Sequence, residues 1–512
     1  MNTENNKRLA KNTVILFFRM LLTMLVSLYT SRVVLSVLGV EDFGIYNVVG
    51  GFVTLIGFLK SAMATATNRF LAYEIGRHDV SQLRNVFSMS INIQIIIAFI
   101  ILVLAETIGL WFVNTQLNIP EDRMLAARFV FHFSVLALLV NIISVPYNAL
   151  IMAREKMNIF AYISFVEVGM KLLIVFMLQW FGFDKLKFYA ILLFCLEILL
   201  RFLYNLYCNL KFSESKYRFF WDISLFKTLV SFAGWNLWGA ASTVVKGQGV
   251  NILLNIFYGP IVNAARGISY QVSGAVTQFV QTFQLALNPQ IIKSYAADDL
   301  KYMHQLVFQG AKYSYFLMLL LSLPVLLETE FILKIWLNKV PDYSVIFTQL
   351  VIINVLIDSI SGPLMTAAQA SGNIKLYQGV VGGLIILNLP ISYLFLNFGS
   401  SPEVTFYISI GISFIALFVR IKFLRFLVKM KERDFYNDVF LKIIIVTFVA
   451  IIFPLLIRFF ISTSIYRLII QILISIISCI TTIYFFGLSR TERINIVKYI
   501  NTYQKKYFGK KC

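Results

Sequence analysis

Long apolar runs, separated by short polar links, make up most of the chain. Many of the runs exceed 20 residues, and a helix of that length crosses the roughly 30 Å hydrocarbon core of a bilayer. The links are too short to hold a soluble domain. The pattern predicts an all-α membrane protein with fourteen transmembrane helices, here called spans 1 to 14, at about 13–38, 43–66, 86–113, 125–152, 158–181, 187–210, 224–257, 260–288, 307–336, 344–370, 375–398, 403–428, 439–460 and 465–488.

The composition supports this class. The 512-residue chain is 59% hydrophobic and 14% charged, whereas soluble domains are about 45–50% apolar and about 25% charged. A water-soluble core could not bury so much apolar sequence, so the chain is predicted to cross a membrane many times. The net charge of +20 fits basic cytoplasmic loops, and we expect no nucleic-acid partner.

The basic residues alternate between links, which predicts the orientation. One set of links holds Arg77 and Arg154 among others, and the segment 420–433 adds six more basic residues. The opposite links, such as 114–123 and 338–343, are poor in Lys and Arg. The positive-inside rule then places both termini in the cytoplasm, as an even number of spans requires. The predicted location is the plasma (inner) membrane, with lipid headgroups contacting the basic tail.

The chain also resembles itself at a distance of about 220 residues. The segment from Pro146 to Gly182 aligns without a gap with the segment from Pro363 to Gly399, and the segment from Leu38 aligns with the one from Tyr258. Chance similarity between apolar helices is the alternative. The alignment predicts two parallel repeats of six spans around a central cavity. The predicted domains are 1–210, 211–433 and 434–512, the last holding two extra spans and the tail.

Four basic residues lie inside spans, where each charge costs about 2.5–3.5 kcal/mol to insert. They are Arg19 in span 1, Lys60 in span 2, Lys246 in span 7 and Arg266 in span 8. In the predicted repeat, span 1 is equivalent to span 7 and span 2 to span 8. An anion bound among these cations would relieve their repulsion, and Arg suits phosphate oxygens in particular. We therefore predict that they bind an anionic substrate. The alternative is that these side chains extend to the cytoplasmic surface.

Polar side chains accompany these cations. Spans 7 and 8 are the most polar of the chain, and residues 267, 271, 274, 278 and 281 form one stripe of a helix. Amide stripes suit the hydroxyls of a sugar, although amides also join helices to each other. The predicted polar lining of the substrate site is Asn47, Gln248, Asn251, Gln271 and Gln278.

Acidic residues inside the spans are candidates for ion coupling. Glu167 and Lys171 are spaced as a helical ion pair, and so are Glu197 and Arg201. Asp358 has no evident partner nearby in sequence, and we predict Asp358 and Glu167 as possible coupling residues. The cysteines and the three histidines lack metal-ligand spacing, so we expect no metal, no cofactor and no catalytic residue.

Several stretches resemble the bacterial oligosaccharide-lipid flippases, the polysaccharide-transport branch of the MATE-like (MOP) flippase superfamily. They include SLYTSRVVLSVLGVEDFGIYNVVGG, AETIGLWF and SVPYNALIMAREKMNIFAYISFVEV. The resemblance implies that the chain moves an undecaprenyl-diphosphate-linked oligosaccharide, an O-antigen or capsule repeat unit, to the outer leaflet. It also implies a cationic cavity, alternating access and a polysaccharide polymerase machinery as a partner.

Two other functions stay open. Related lipid II flippases use basic residues in their first, second and eighth helices, which here carry Arg19, Lys60 and Arg266. Drug exporters of the same superfamily typically have an acidic cation site in their first helices, and span 1 has no acid. This difference argues against a cation-coupled multidrug exporter, which is kept as the alternative function. An enzyme acting on the same glycolipids would need a large outer loop with paired carboxylates, and the links are too short for one.

Overall fold

The computed structural model describes residues 3–56, 58–115, 119–180, 184–337, 340–490 and 492–494. Within them the chain is helical and has no strand. The α-helices are α1 (Thr3–Ile56), α2 (Phe58–Arg77), α3 (Val80–Leu104), α4 (Leu110–Thr115), α5 (Met124–Ala153), α6 (Met157–Trp180), α7 (Lys185–Lys211), α8 (Ile223–Tyr258), α9 (Pro260–Ala296), α10 (Leu300–Leu327), α11 (Thr329–Leu337), α12 (Ser344–Ser371), α13 (Lys375–Ile386), α14 (Asn388–Asn397), α15 (Val404–Val428), α16 (Glu432–Phe435), α17 (Leu441–Phe460) and α18 (Ile465–Thr482).

The helices confirm the predicted all-α architecture. Nine helical segments of the described residues are long and apolar enough to cross a membrane, and the other spans also coincide with helices. The break between spans 1 and 2 falls at Gly39, where the backbone of α1 is left-handed (φ 80°). Span 2 continues as α2 to Arg77, eleven residues beyond its predicted end. The extension is polar, so hydropathy alone did not include it.

Polar residues of the links begin several helices. The side chains of Asp79, Asp184 and Ser464 accept hydrogen bonds from backbone N–H groups in the first turns of α3, α7 and α18. The first N–H groups of a helix have no partner within it, and such caps supply one. The links thus fix where these membrane-crossing helices begin.

The backbone confirms the internal repeat. Residues with positive φ are uncommon, and six of those described fall into three pairs separated by 217 or 220 positions. The pairs are Gly39 with Gly259, His78 with Asp298, and Glu155 with Gly372. Each pair lies at the junction of equivalent helices. Because a left-handed residue ends a helix and redirects the chain, the two copies break their helices at equivalent positions.

A proline inside α12 is compensated by a neighbouring helix. Pro363 has no N–H, so the carbonyl of Ser359 four residues earlier loses its helical partner. The side chain of Gln284 in α9 donates to that oxygen at 3.2 Å and to Ser314 Oγ of α10 at 3.0 Å. One amide thus connects three helices at the position where the proline breaks the hydrogen-bond ladder.

The chain divides into two compact units. The first contains Met1–Ala241, Leu285–Met303 and Gln369–Gly379, and the second contains Ser242–Gln284, His304–Ala368 and Val380–Cys512. These units do not follow the boundaries predicted from the repeat, at residues 210 and 433, and that division stays a prediction.

Each unit has its own apolar core. In the first, Phe87, Leu150 and Leu178 are fully buried in a cluster that joins several of the helices α2 to α8. In the second, Leu254 and Phe347 belong to a buried cluster of α8, α9, α12 and α15. These cores fix the rotation of each helix about its axis, which decides where its polar residues point.

Candidate functional site

Arg19 of α1 lies beside α6 in the first unit. Its Nε donates to Ser164 Oγ at 2.8 Å, and its guanidinium carbon lies 4.3 Å from the ring centroid of Phe160. Both partners are uncharged, and the aromatic face attracts a cation. The side chain is half-buried. The charge of Arg19 therefore lies between α1 and α6, and it has no hydrogen bond to a carboxylate of the described residues.

Lys60 of α2 belongs to a chain of three polar side chains. Its ammonium donates to Asn141 Oδ1 of α5, and Asn141 Nδ2 donates to Glu197 Oε2 of α7 at 2.8 Å. The amide of Asn141 thus stands between the cation and the carboxylate. Glu197 was predicted to pair with Arg201, and this is wrong, because the described contacts of Glu197 are with Asn141. The rotation of α7 in the core decides that outcome.

Arg19 and Lys60 line one cavity of about 180 Å³ in the first unit. Its wall also holds Arg201 and two carboxylates, Glu167 and Glu197. Glu167 pairs with Lys171 at 2.6 Å, which confirms the predicted pair. The cavity thus brings two of the four predicted cations together, and it can take a small charged group.

Arg266 of α9 is the most buried of the predicted cations, with 8% of its surface exposed. Its Nη2 donates to the carbonyl of Gly247 in α8 at 2.9 Å, and its Nη1 donates to Asn251 Oδ1 at 3.3 Å. The guanidinium also lies over the ring of Tyr270 at 4.5 Å. These partners are neutral, and the enclosed Nε has no hydrogen-bond partner among the described residues. Desolvating a charge is costly, so a guanidinium that the described carboxylates do not pair would be stabilised by an anion.

Lys246 of α8 lies near Arg266 in the second unit, and the charges of Asp358 and Arg266 both act on it. Asp358 was predicted to lack a local partner, which is wrong. Asn354, one turn earlier in α12, donates to Asp358 Oδ2 at 2.8 Å. The carboxylate is exposed in this unit, so a cation can reach it.

The polar stripe of α9 is exposed along its whole predicted length. Gln271 and Gln278 are exposed, as are the other members at 267, 274 and 281. In α8, Gln248 is exposed and Asn251 contacts Arg266. The side chain of Asn47 lies outside the described part of the structure. Amides are poorly solvated by lipid, so we expect this stripe to face water, a ligand or another polar surface.

A second constellation lies at the ends of α2 and α9, which the sequence analysis did not select. A Cβ at Gly76 would lie 2.6 Å from the carbonyl oxygen of Lys293 and 2.7 Å from Cβ of Ala296. Ala296 is the repeat equivalent of Gly76. The equivalent helices α2 and α9 therefore cross at the same repeat position, and only a glycine fits at this contact.

Two polar contacts flank this crossing. Arg69 of α2 donates to the carbonyls of Gln369 and Ala370 at the end of α12, at 3.1 and 2.7 Å. Buried Glu155, at the end of α5, accepts from Lys293 Nζ of α9 at 2.7 Å and from Gln290 at 3.2 Å. Each contact joins the end of a fourth helix of one repeat to a second helix of the other. We call these contacts and the Gly76 crossing the loop-end closure.

The site residues that sequence reasoning missed had weak signals. Asn141 is one amide in the apolar run LALLVNIIS, which by itself does not separate a ligand from a packing contact. Arg69 and Glu155 lie beside links, where charges are ordinary. Whether all four predicted cations face one central cavity concerns the arrangement of the two units and stays a prediction.

These observations define a class of protein. Apolar helices long enough to cross a bilayer, a doubled six-helix design and charged clusters between helices are the architecture of a multi-pass membrane protein. No protein-family model matches the chain, and no curated protein does.

Solved structures do match. One is the outward-facing conformation of a multidrug resistance MATE family transporter of the MOP superfamily, with a TM-score of 0.70 and 11% identity over 83% of this chain and 96% of that chain. The MATE transporter ClbM in complex with Rb⁺ matches with a TM-score of 0.70 and 14% identity over 83% and 96%. The chain therefore has the fold of MATE-like transporters.

A further match is a MOP superfamily transporter from Pyrococcus furiosus. Its structure is described as having a binding pocket of reverse polarity that suggests a different function. The TM-score is 0.65 and the identity 11%, over 83% of this chain and 96% of that chain. At such identities the likeness extends to the fold alone.

Proposed function

We propose that the chain is a flippase that moves undecaprenyl-diphosphate-linked oligosaccharides across the plasma membrane. The observation that carries this proposal is the set of partners of the intramembrane cations. Arg19, Lys60 and Arg266 are each hydrogen-bonded to neutral oxygens. Neutral partners do not compensate a positive charge, and an uncompensated charge attracts an anion strongly in a medium of low dielectric constant. A diphosphate supplies such an anion, and Arg binds its oxygens in a bidentate geometry.

The dimensions of the first-unit cavity support a small charged group. Its volume of about 180 Å³ is below the roughly 300–1,000 Å³ of pockets for drug-sized ligands. It suits a phosphate group rather than a whole glycan. The exposed amides of Gln271 and Gln278 offer both donors and acceptors to sugar hydroxyls, and the lipid tail would stay in the bilayer.

We further propose that transport proceeds by alternating access. The loop-end closure joins helix ends by hydrogen bonds and one ion pair, contacts that can break and re-form. Glu167, Glu197 and Asp358 are the groups that we propose to couple these states to a proton or cation. If both termini lie in the cytoplasm, the loop-end closure is on the cytoplasmic side, where the substrate is made. The polymerase partner would then act on the opposite face of the membrane.

A cation-coupled multidrug exporter is the second candidate. It is favoured by the carboxylates Glu167 and Glu197 in the first-unit cavity and by matching structures described as multidrug transporters. Such a protein would bind cationic substrates, which the neighbouring Arg19 and Lys60 repel. Deletion of the gene separates the two functions, since new sensitivity to cationic dyes with unchanged surface glycan would support the exporter.

The proposal is tested by removing the charge of Arg266 while a polar side chain that can donate a hydrogen bond is kept. In a deletion strain, Arg266→Gln should leave lipid-linked oligosaccharide on the cytoplasmic face and abolish surface glycan. Arg266→Lys, which retains the charge, should restore at least part of the surface glycan. The measurements are glycosidase accessibility of the glycolipid in everted vesicles and immunoblotting of the surface glycan.

The matched control is Lys216→Gln, which removes an exposed basic residue from a link. It should leave surface glycan unchanged at equal protein levels. Normal surface glycan with Arg266→Gln would refute the anion-binding role of this residue. A deletion strain without accumulated glycolipid would refute the flippase itself.

A further inference from the structure

A larger cavity opens beside the loop-end closure and belongs to neither charged cluster described above. It has a volume of about 680 Å³ and lies where α2 ends, α8 begins and the α12–α13 link passes. Residues that line it include Arg69, Glu74, Lys227, Trp235 and Lys375. All lie in the first unit. Because it is built from the ends of helices, we infer that it lies at the depth of the lipid headgroups. We call it the headgroup cavity.

Three cations line this cavity. Lys227 and Lys375 are exposed, and neither forms an ion pair with any residue that the structure describes. Arg69 uses Nε and Nη2 on the α12 carbonyls, which leaves Nη1 for a ligand. The cavity wall also includes the beginning of α13 at Lys375, where free backbone N–H groups attract anions. This part of the cavity suits a phosphate.

The opposite charge comes from Glu74. This carboxylate is only 7% exposed, lines the cavity, and forms no ion pair with any residue that the structure describes. A carboxylate buried without a paired cation is costly, and an ammonium group in the cavity would balance its charge. The rings of Trp235 and Tyr73 also line the cavity, and they lie against two of its own cations, Lys375 at 5.7 Å and Arg69 at 4.6 Å from the ring centroids.

We propose that this cavity binds the phosphoethanolamine headgroup of a phospholipid, with the phosphate on the three cations and the ammonium on Glu74. A zwitterion matches both charges of the wall, whereas a simple anion would leave Glu74 unsatisfied. The binding ties the ends of α2 and α8 to the start of α13. It does not depend on which substrate the protein carries.

The test measures lipid binding to the purified full-length protein by native mass spectrometry. Phosphatidylethanolamine and phosphatidylcholine carry the same phosphate, but the methylated ammonium of the second has no N–H to donate. The protein without substitutions, here called the parent, should therefore retain phosphatidylethanolamine in preference to phosphatidylcholine by about tenfold. Equal retention of the two lipids would overturn the ammonium contact.

Two variants test the phosphate contacts and the ammonium contact of the headgroup separately. Lys227→Gln/Lys375→Gln should weaken binding of both lipids by at least about tenfold. Glu74→Gln should remove the preference between them while phosphate binding persists. The control Lys211→Gln/Lys216→Gln changes two exposed basic residues outside the cavity and should bind as the parent does. Unchanged binding in the Lys227/Lys375 variant would overturn the proposal.

Competition with a soluble headgroup shows whether the ligand is a membrane lipid. If O-phosphoethanolamine displaces the lipid only at a large excess, the acyl chains contribute and the ligand is a membrane lipid. Displacement at equal concentration would mean that the cavity takes a soluble phosphate ester. Melting temperatures of all variants in lipid-free detergent should match the parent, so that lost binding reflects the cavity and not unfolding.

Discussion

At the scale of single residues, the amide of Asn141 has an unusual position. It accepts from an ammonium and donates to a carboxylate, so one neutral group contacts both charges of the Lys60–Glu197 chain. An amide can do this because it has a donor and an acceptor on adjacent atoms. The charges are thereby kept apart without either losing its hydrogen bond.

We expect Asn141→Ala to destabilise the protein by about 2 kcal/mol, because two partly buried charged groups lose their partner together. Unfolding of the purified protein in mixed micelles measures this change. The control is Asn148→Ala, because Asn148 lines the same cavity and its Oδ1 has no hydrogen-bond partner in the described part of the chain. Asn148→Ala should lower the free energy of unfolding much less than Asn141→Ala.

A double variant tests whether the lost stability comes from the unpaired carboxylate of Glu197. Adding Glu197→Gln to Asn141→Ala should recover part of the lost stability, because the unpaired charge is gone. If the two substitutions are additive, the amide does not act through the carboxylate and this explanation fails.

At the scale of elements, helices that contain proline depend on their neighbours. Pro454 lies inside α17 and leaves the carbonyl of Ala450 without its helical donor. Ser478 of α18 donates its hydroxyl to that oxygen at 2.8 Å, and Gln471 donates to the carbonyl of Pro454 at 2.9 Å. In lipid no water can replace these donors, so α17 and α18 form one cooperative pair.

Ser478→Ala should therefore destabilise the protein by about 1–2 kcal/mol. Ser475→Ala is the matched control, because Ser475 lies on the same helix, is also buried, and its hydroxyl has no hydrogen-bond partner among the residues that the structure describes. Melting of the two variants in detergent compares them directly. An equal loss of stability would show that the hydroxyl bond to Ala450 contributes nothing.

The ends of the repeated helices allow another comparison. Gly372 and Gly399 both have φ near +80°, where alanine is strained by about 1–2 kcal/mol. A Cβ at Gly372 would also lie 2.7 Å from Nη2 of Arg69, whereas a Cβ at Gly399 would meet no atom within 4 Å.

We expect Gly372→Ala to be more destabilising than Gly399→Ala, because it displaces Arg69 from the carbonyls of α12 in addition to straining the backbone. The measurement is the melting temperature of each variant. Equal effects would mean that backbone strain is the whole cost and that Arg69 adapts without loss.

At the scale of the whole molecule, the doubled design places equivalent residues in contact. Gly76 meets the Lys293–Ala296 segment of α9, and the contacts of Arg69 and Glu155 flank this crossing. In the alternating access that we propose, opening at this end requires all of these contacts to break together. A larger side chain at Gly76 should therefore favour the open form.

Gly76→Val should increase hydrogen–deuterium exchange in residues 369–379 and 290–296, because the helix ends separate more often. The control is Gly169→Val in α6, where a Cβ meets nothing within 4 Å. If exchange rises equally in both variants, or in neither, the crossing does not hold this end closed.

The sequence alone determined the class of the protein, its helices and its repeat. Hydrophobic length is a property of short segments, and the alignment of Pro146 with Pro363 needs no packing information. It also selected Arg19, Lys60 and Arg266, since a charge within an apolar run is visible locally.

Only the tertiary structure decided the partners of these charges. Glu197 contacts Asn141 rather than Arg201, and Asp358 contacts Asn354, because helix rotation and packing determine which side chains face one another. The same holds for the headgroup cavity, whose wall comes from segments up to about 300 residues apart. Such proximity is created by folding, and no local pattern in the chain encodes it visibly.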